Sequence, residues 1–396
     1  TSKGTANLTL DLKFTDCIFD YTGANTNAGM LNLSYNSDAK SVFKVVVEGG
    51  EIIAGSNSAF NFIEKDSGDT VTYTKNSNGE YIKLTLEKNA SAPSLDSVYK
   101  TDDGIECVFI KASENSSNAN YSLYPKVMVG YKIKTSVTLY SNFVYNIYVP
   151  KANVDSFTVN GKGVDYEEVE IDGATYYHVA VNLPAGETLS DINLKVTLNS
   201  GSTTVDANWT LNVFNYTKSV LAGKYDDTTK NLMRDMLVYA SAAHTYFGNT
   251  ADVADKLAEI KTLLGDYSAT LPTGEAKKPT DKTYFTDVAV YLGEVPSFRF
   301  YLASGYTKDN FTFKVGNRTV EAIAGNGYVE IVMYAYMMLD DVTYTVKTNG
   351  ATGTYNLYSY YEYANTLNNA DLVAIVEGLM KYAASASNYR NSVINK

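Results

Sequence analysis

Residues 1–125 alternate apolar and polar positions almost throughout. NLTLDLKF places Leu8, Leu10, Leu12 and Phe14 on one face of a strand, and YIKLTLEK does the same with Ile82, Leu84 and Leu86. Turn signals separate such runs: Gly49–Gly50, Asn78–Gly79 and Asp103–Gly104. No stretch of helical period interrupts them, and about eight short strands at this spacing predict a β-sandwich. Hydrophobic residues then vanish in ASENSSNANYS, residues 112–122, which marks a boundary.

The second segment opens with KVMVGYKIKTSVTLYSNFVYNIYVP, in which Tyr145, Ile147 and Val149 share a face and Pro150 ends the strand. Hairpins are expected at Asn160–Gly161 and Asp172–Gly173. INLKVTL and ANWTLNVFNY read as the last strands, with Trp209, Leu211 and Val213 on a common face. The period then changes. From Asp226 or Asp227 as N-cap, Leu232, Met236, Ala240, Ala243 and Phe247 recur at helical spacing, and Gly248 stops the helix. A second helix, DVADKLAEIKTLL, ends at Gly265, and the Pro- and Lys-containing residues 269–282 read as a linker.

The third segment repeats the second. MLVYASAAHTYFGN, residues 236–249, reappears as LMKYAASASNYRN from Leu379, with Tyr382 at the place of Tyr239 and Tyr389 at that of Tyr246. Phe298, Phe300 and Tyr301 stand for Tyr145, Ile147 and Tyr148, and DDVTYTVKTNG from Asp340 stands for SDINLKVTLNSG from Ser190. The final helix starts near Asn368 or Asn369 and buries Leu372, Ile375, Val376, Leu379, Met380 and Ala383. Small Ala and Ser residues in both copies predict that each helix packs closely on its own sheet. The expected fold is mainly β with helical appendages. It comprises a β-sandwich over 1–125, a β-plus-helices repeat over 126–268, and a linker with a second repeat over 269–396.

Composition narrows the function. A net charge of −11 argues against nucleic acid and against docking on an anionic membrane. No run of about 18 apolar residues is present, so no bilayer-spanning segment is expected. TSKGTANLTL reads as the start of a mature domain and not as a signal peptide. Cys17 and Cys107 suit either a disulfide across one sandwich or two buried thiols. With 34 Tyr, one Trp and abundant Asn, Thr and Ser, the chain has the composition of exported bacterial surface proteins.

NFVYNIYVP together with LMRDMLVYASAAHTYFGN resembles a repeat of cell-surface, often dockerin-bearing polysaccharide-adherence proteins of gut Clostridia, ruminococci above all. The resemblance covers roughly residues 126–396. It implies a non-catalytic surface protein that holds polysaccharide, α-glucan such as starch by preference, near degradative enzymes. It also implies partnership with other surface or cellulosome-like proteins through regions outside this chain, where any anchor is expected.

Catalytic signatures are missing. His178 and His244 are the only histidines, no HExxH spacing or GxSxG elbow occurs, and neither GxGxxG nor a P-loop is present, so no metal or cofactor is expected. Paired carboxylates remain open, from Asp165, Glu167, Glu168 and Glu170 or from Asp340 and Asp341. YDDTTKN and TDDGIE are open as calcium ligands, although neither is an EF-hand loop. The aromatic surplus is the stronger lead, because Tyr offers a flat apolar face with a polar tip. Comparing the copies, Tyr306, Tyr334, Tyr336, Tyr361 and Tyr363 have no aromatic counterpart. With Asn365 as hydroxyl partner they are the candidate glycan contacts, and Tyr21 and Tyr35 are the candidates in the first segment. A structural stalk or assembly module, an adhesin for host glycan or protein, and a glycosidase with dispersed carboxylates are the competing readings.

Overall fold

In a computed structural model of the chain, the described residues are 9–22, 31–33, 42–55, 63–65, 70–88, 90–139, 141, 143–279, 281–293 and 295–394. Tyr35 and the GANTN stretch lie outside them. The chain is mainly β with helical appendages. It forms two compact units: Thr1–Lys132 with Pro150–Gly163 and Leu194–Trp209, and Ile133–Val149 with Val164–Asn193 and Thr210–Lys396.

The first unit has a two-layered core. Val45, Val47 and Tyr73 face Ile52, Leu84, Leu86, Phe109, Tyr121 and Leu123, all buried. Period-two alternation predicts these strands but not their direction. Thr9–Thr15, Val42–Glu48 and Thr70–Thr74 pair in parallel, as do Ile18–Tyr21, Glu51–Ala54 and Lys83–Glu87. Each pass therefore contributes one strand to either layer. Gly49 and Gly50, both at positive φ, make the corner, where a Cβ on Gly50 would lie 2.2 Å from the Cys17 carbonyl oxygen. Cys17 and Cys107 are free thiols, and Cys107 is buried. Trp209 is half-buried, its ring 6.2 Å from that of Tyr131.

The second unit holds the duplicated elements. Strands Lys134–Thr138, Val144–Pro150, Ala174–Asn182 and Glu167–Ile171 form a sheet in that spatial order, and Phe285–Leu292, Pro296–Leu302, Tyr328–Val332 and Ile323–Ala324 repeat it. Asp172 and Gly173 both take positive φ and close the expected hairpin between Ile171 and Ala174. In the first unit, Asn160–Gly161 forms its tight turn as well, bridging Val159 to Lys162. The strand before it, Val154–Val159, pairs instead with Ile192–Ser200. In the second copy, a clustered aromatic core of Phe285, Phe300, Phe311, Phe313 and Tyr344 fills the space between its two sheets.

The α-helices among the described residues are α1 Val213–Ala222, α2 Asp227–Tyr246, α3 Ala254–Leu264, α4 Leu357–Thr366 and α5 Ala370–Tyr389. Asp226 and Asn369 cap α2 and α5, accepting from the Thr229 and Leu372 amides. Helix α1 corrects the strand reading of VFNY, and α4 is its counterpart in the second copy. Asn212 and Asn356 end the preceding strands and cap these helices through Asn215 N–H and Ser359 N–H. Each capping amide also donates to a carboxylate, Asn212 to Asp191 at 2.8 Å and Asn356 to Asp341 at 2.9 Å. A lysine completes each set, Lys256 on Asp191 and Lys277 on Asp341, both at 2.7 Å.

Helices α2 and α5 pack on each other, which corrects the expectation that each lies against its own sheet. A Cβ on Gly378 would stand 3.0 Å from the Tyr239 Cα, so the missing side chain sets how closely the backbones approach. The duplicated Tyr239 and Tyr382 stack at 5.7 Å and 8°, with Phe143 against both rings. The Tyr382 hydroxyl donates to the Leu139 carbonyl, while the buried Tyr239 hydroxyl has no partner. Asp235 accepts from Ser385 and from the Tyr267 hydroxyl, the latter at 3.0 Å. The repeated helix signature is thus the seam that joins the two copies.

Candidate functional site

Placing Tyr145, Ile147 and Val149 on one face puts Asn146 and Tyr148 on the other by strand parity, where Asn146 is buried and Tyr148 half-buried. On that face Tyr148 stacks on His178 of the neighbouring strand, with ring centroids 4.8 Å apart and planes 14° apart. His178 Nδ1 lies 2.7 Å from Glu167 and Nε2 lies 3.0 Å from the Asn146 amide oxygen. Ser136 Oγ is 3.4 Å from the Tyr148 hydroxyl, and Lys134 Nζ sits over Tyr176 while pairing with Asp172.

The second copy builds the same face with other residues. Tyr301 takes the position of Tyr148 and Tyr328 that of His178, with centroids 5.8 Å apart. Arg299, at the position of Asn146, lies 3.4 Å from the Tyr291 ring centre and 4.7 Å from that of Tyr328. Glu330 holds Arg299 at 3.1 Å and accepts from Ser297 at 2.6 Å. The Arg299 guanidinium gains charge stabilisation from Glu330, against the cost of its partial burial. Tyr291 and Tyr301 are 41% and 37% exposed, so ring area faces solvent beside fixed donors and acceptors. A flat apolar area framed by amide, carboxylate, hydroxyl and guanidinium groups suits a pyranose ring, which is apolar on its faces and hydroxylated at its rim.

The candidates read from sequence fall on three other elements. Tyr306 packs edge-on against Tyr284 at 5.4 Å and lies near Phe311. Tyr334 precedes the 3-10 turn Ala335–Met337 and Tyr336 lies within it; their rings stack at 6.1 Å, with Arg318 and Arg390 over the Tyr336 ring. Tyr361, Tyr363 and Asn365 lie on α4. There the Tyr361 hydroxyl meets Glu377 at 2.8 Å, and the Asn365 amide donates to the Tyr361 carbonyl of its own helix. Tyr363 is 56% exposed, its ring 6.3 Å from that of Tyr360. Tyr21, in the first unit, is half-buried at the end of its strand.

The acidic run Asp165–Glu170 lies along the edge strand Glu167–Ile171, where Glu167 meets His178 and Glu170 meets Thr175. Asp226 is occupied as a helix cap and Asp103 accepts from Thr101. Among the described residues no group of three or more His, Cys, Asp or Glu is placed to hold a metal ion, and no helix is long and apolar enough to cross a membrane. A concavity of about 660 Å3 in the first unit is lined by Tyr81, Tyr124, Lys75, Asn76, Glu80 and Asp206, among others. Its polar groups are largely engaged: Asn76 with Glu80, and Asp206 with Lys195 and Thr197. The outer sheet faces are therefore the better candidate. No family model matches the chain, and no curated protein matches it.

Proposed function

We infer that the chain is a non-catalytic polysaccharide-binding part of an exported bacterial surface protein. Its outward sheet faces make the contact. One observation carries this reading: the cross-strand aromatic pair recurs at the same two positions, Tyr148 with His178 and Tyr301 with Tyr328, on the corresponding sheet face of both copies. Of the four rings Tyr301 is exposed and the other three are half-buried, and retention of the pair in two copies whose neighbouring residues have diverged favours a ligand. Starch or another α-glucan is the favoured ligand, and that preference comes from the resemblance of the repeat.

Affinity electrophoresis in native gels containing amylopectin, glycogen, a cellulose derivative, xylan or mucin tests the reading. Retardation by the α-glucans alone supports starch. Retardation by another polymer keeps the class and changes the ligand. An unretarded protein in every gel removes the reading. The α2–α5 seam favours a structural stalk as the second reading, because it joins a helix of each copy within the second unit.

A further inference from the structure

The chain contains four arginines, at 234, 299, 318 and 390, and each lies over a tyrosine ring. Two of them converge on Tyr336. Arg390 stands 4.3 Å from its ring centre, and Arg318 Nη1 donates to its hydroxyl at 3.2 Å. Neither guanidinium has a carboxylate within ion-pair distance among the described residues. Tyr334 extends the aromatic area and is 38% exposed.

The other copy builds this corner without cations. Pro184, Gly186, Ser190 and Phe247 occupy the positions of Tyr334, Tyr336, Asp340 and Arg390. There Phe247 lies directly on Gly186, as Arg390 lies on Tyr336. The corner thus holds a partly exposed phenylalanine on a glycine in one copy, and in the other two cations over the Tyr336 ring with Tyr334 stacked beside it. In a chain of net charge −11, paired cations without a carboxylate partner are a local exception. Asp340 lies close enough for both arginines to act on its carboxyl. Burial raises that carboxyl above its usual range, the arginines oppose the rise, and Asp341 adds to it. Asp341 is itself paired with Lys277, so the corner keeps a net positive charge.

We propose that Arg318, Arg390, Tyr334 and Tyr336 form a binding site for a carboxylate-bearing sugar, the guanidiniums taking the carboxylate and the tyrosines the ring. Planar guanidiniums match a carboxylate by paired hydrogen bonds, and an aromatic face beside them accepts the pyranose C–H face. The site goes beyond the sheet-face reading and does not depend on it.

Titration calorimetry of the full chain with tetragalacturonate, its methyl ester and sialyllactose tests the site. The acid should bind, and the ester, which keeps the backbone but not the charge, should bind at least about tenfold more weakly. Arg318→Gln and Arg390→Gln should each weaken the acid about tenfold, and Asp340→Asn should tighten it. Sialyllactose binding in place of tetragalacturonate supports the site and assigns it a terminal acidic sugar. Tyr148→Ala with Tyr301→Ala should leave acid binding unchanged. Equal binding of acid and ester overturns the proposal, as does absence of binding by both acidic probes. Folded Gln variants that bind like the parent overturn it as well.

Discussion

Tyr239 and Tyr382 occupy the same place in two copies of one helix signature, yet removing their hydroxyls should have opposite consequences. Both rings are fully buried in one stack with Phe143, and phenylalanine at either position preserves that stack. The Tyr382 hydroxyl supplies the donor for the Leu139 carbonyl, so Tyr382→Phe strands a buried acceptor. Such a loss costs about 1–3 kcal/mol. The Tyr239 hydroxyl is buried without a partner, so the folded state already bears its desolvation cost. Tyr239→Phe removes that cost and should be neutral or stabilising by up to about 1 kcal/mol. Thermal unfolding followed by circular dichroism resolves the difference, since about 1 kcal/mol shifts Tm by roughly 2–4 °C in a unit of this size. Equal losses from the two variants would refute the account of the seam, because they would mean that the ring hydroxyls have equivalent environments.

Three further outcomes follow from the same unit. Gly378→Ala gains helix propensity of about 1 kcal/mol but pushes a Cβ against the Tyr239 backbone. With overpacking at about 1–3 kcal/mol, the variant should melt lower, and a higher Tm would show that the helices are not in closest approach. Burial raises the Asp235 carboxyl above its ordinary 3.8. The folded state therefore binds the extra proton between those values, and stability should rise as pH falls through that window. Asp235→Asn should flatten the rise in urea titrations without loss at pH 7. His244 is buried, accepts the Leu189 amide at Nε2 and donates from Nδ1 to the Asn249 carbonyl. Burial lowers its pKa below 6.5, so stability should fall as pH drops from about 6.5 through the folded value. An imidazolium signal for His244 at pH 6.5 in NMR would contradict this.

Much of the fold was legible because local chemistry and tertiary structure agree. Asp172–Gly173 demands positive φ at both residues and forms the hairpin, while Asp226 and Asn369 announce their helices by capping them. The short helices α1 and α4 were not legible as helices. VFNYTKSVLA and LYSYYEYANT are rich in β-branched and aromatic residues, whose strand preference masks the capping signal of Asn212 and Asn356. Parallel pairing in the first unit was hidden as well, since alternation is the same in either direction.

The candidate site shows a different failure. Treating aromatics common to both copies as packing discards Tyr148 and Tyr301. Yet the inward assignment of Tyr145, Ile147 and Val149 already puts Tyr148 on the opposite face, where it is half-buried. Parity was the available signal, and comparison of the copies overrode it. The same comparison did single out Tyr334 and Tyr336, and the arginines over Tyr336 come from positions remote in sequence.

The most direct test of polysaccharide binding is co-sedimentation of the full chain with insoluble starch, comparing the parent with Tyr148→Ala/Tyr301→Ala. Loss of one aromatic contact from each face, at about 0.5–1.5 kcal/mol apiece, should move most of the protein from pellet to supernatant while the far-UV spectrum is unchanged. A parent protein that stays in the supernatant would contradict the account, as would a folded double variant that sediments as the parent does.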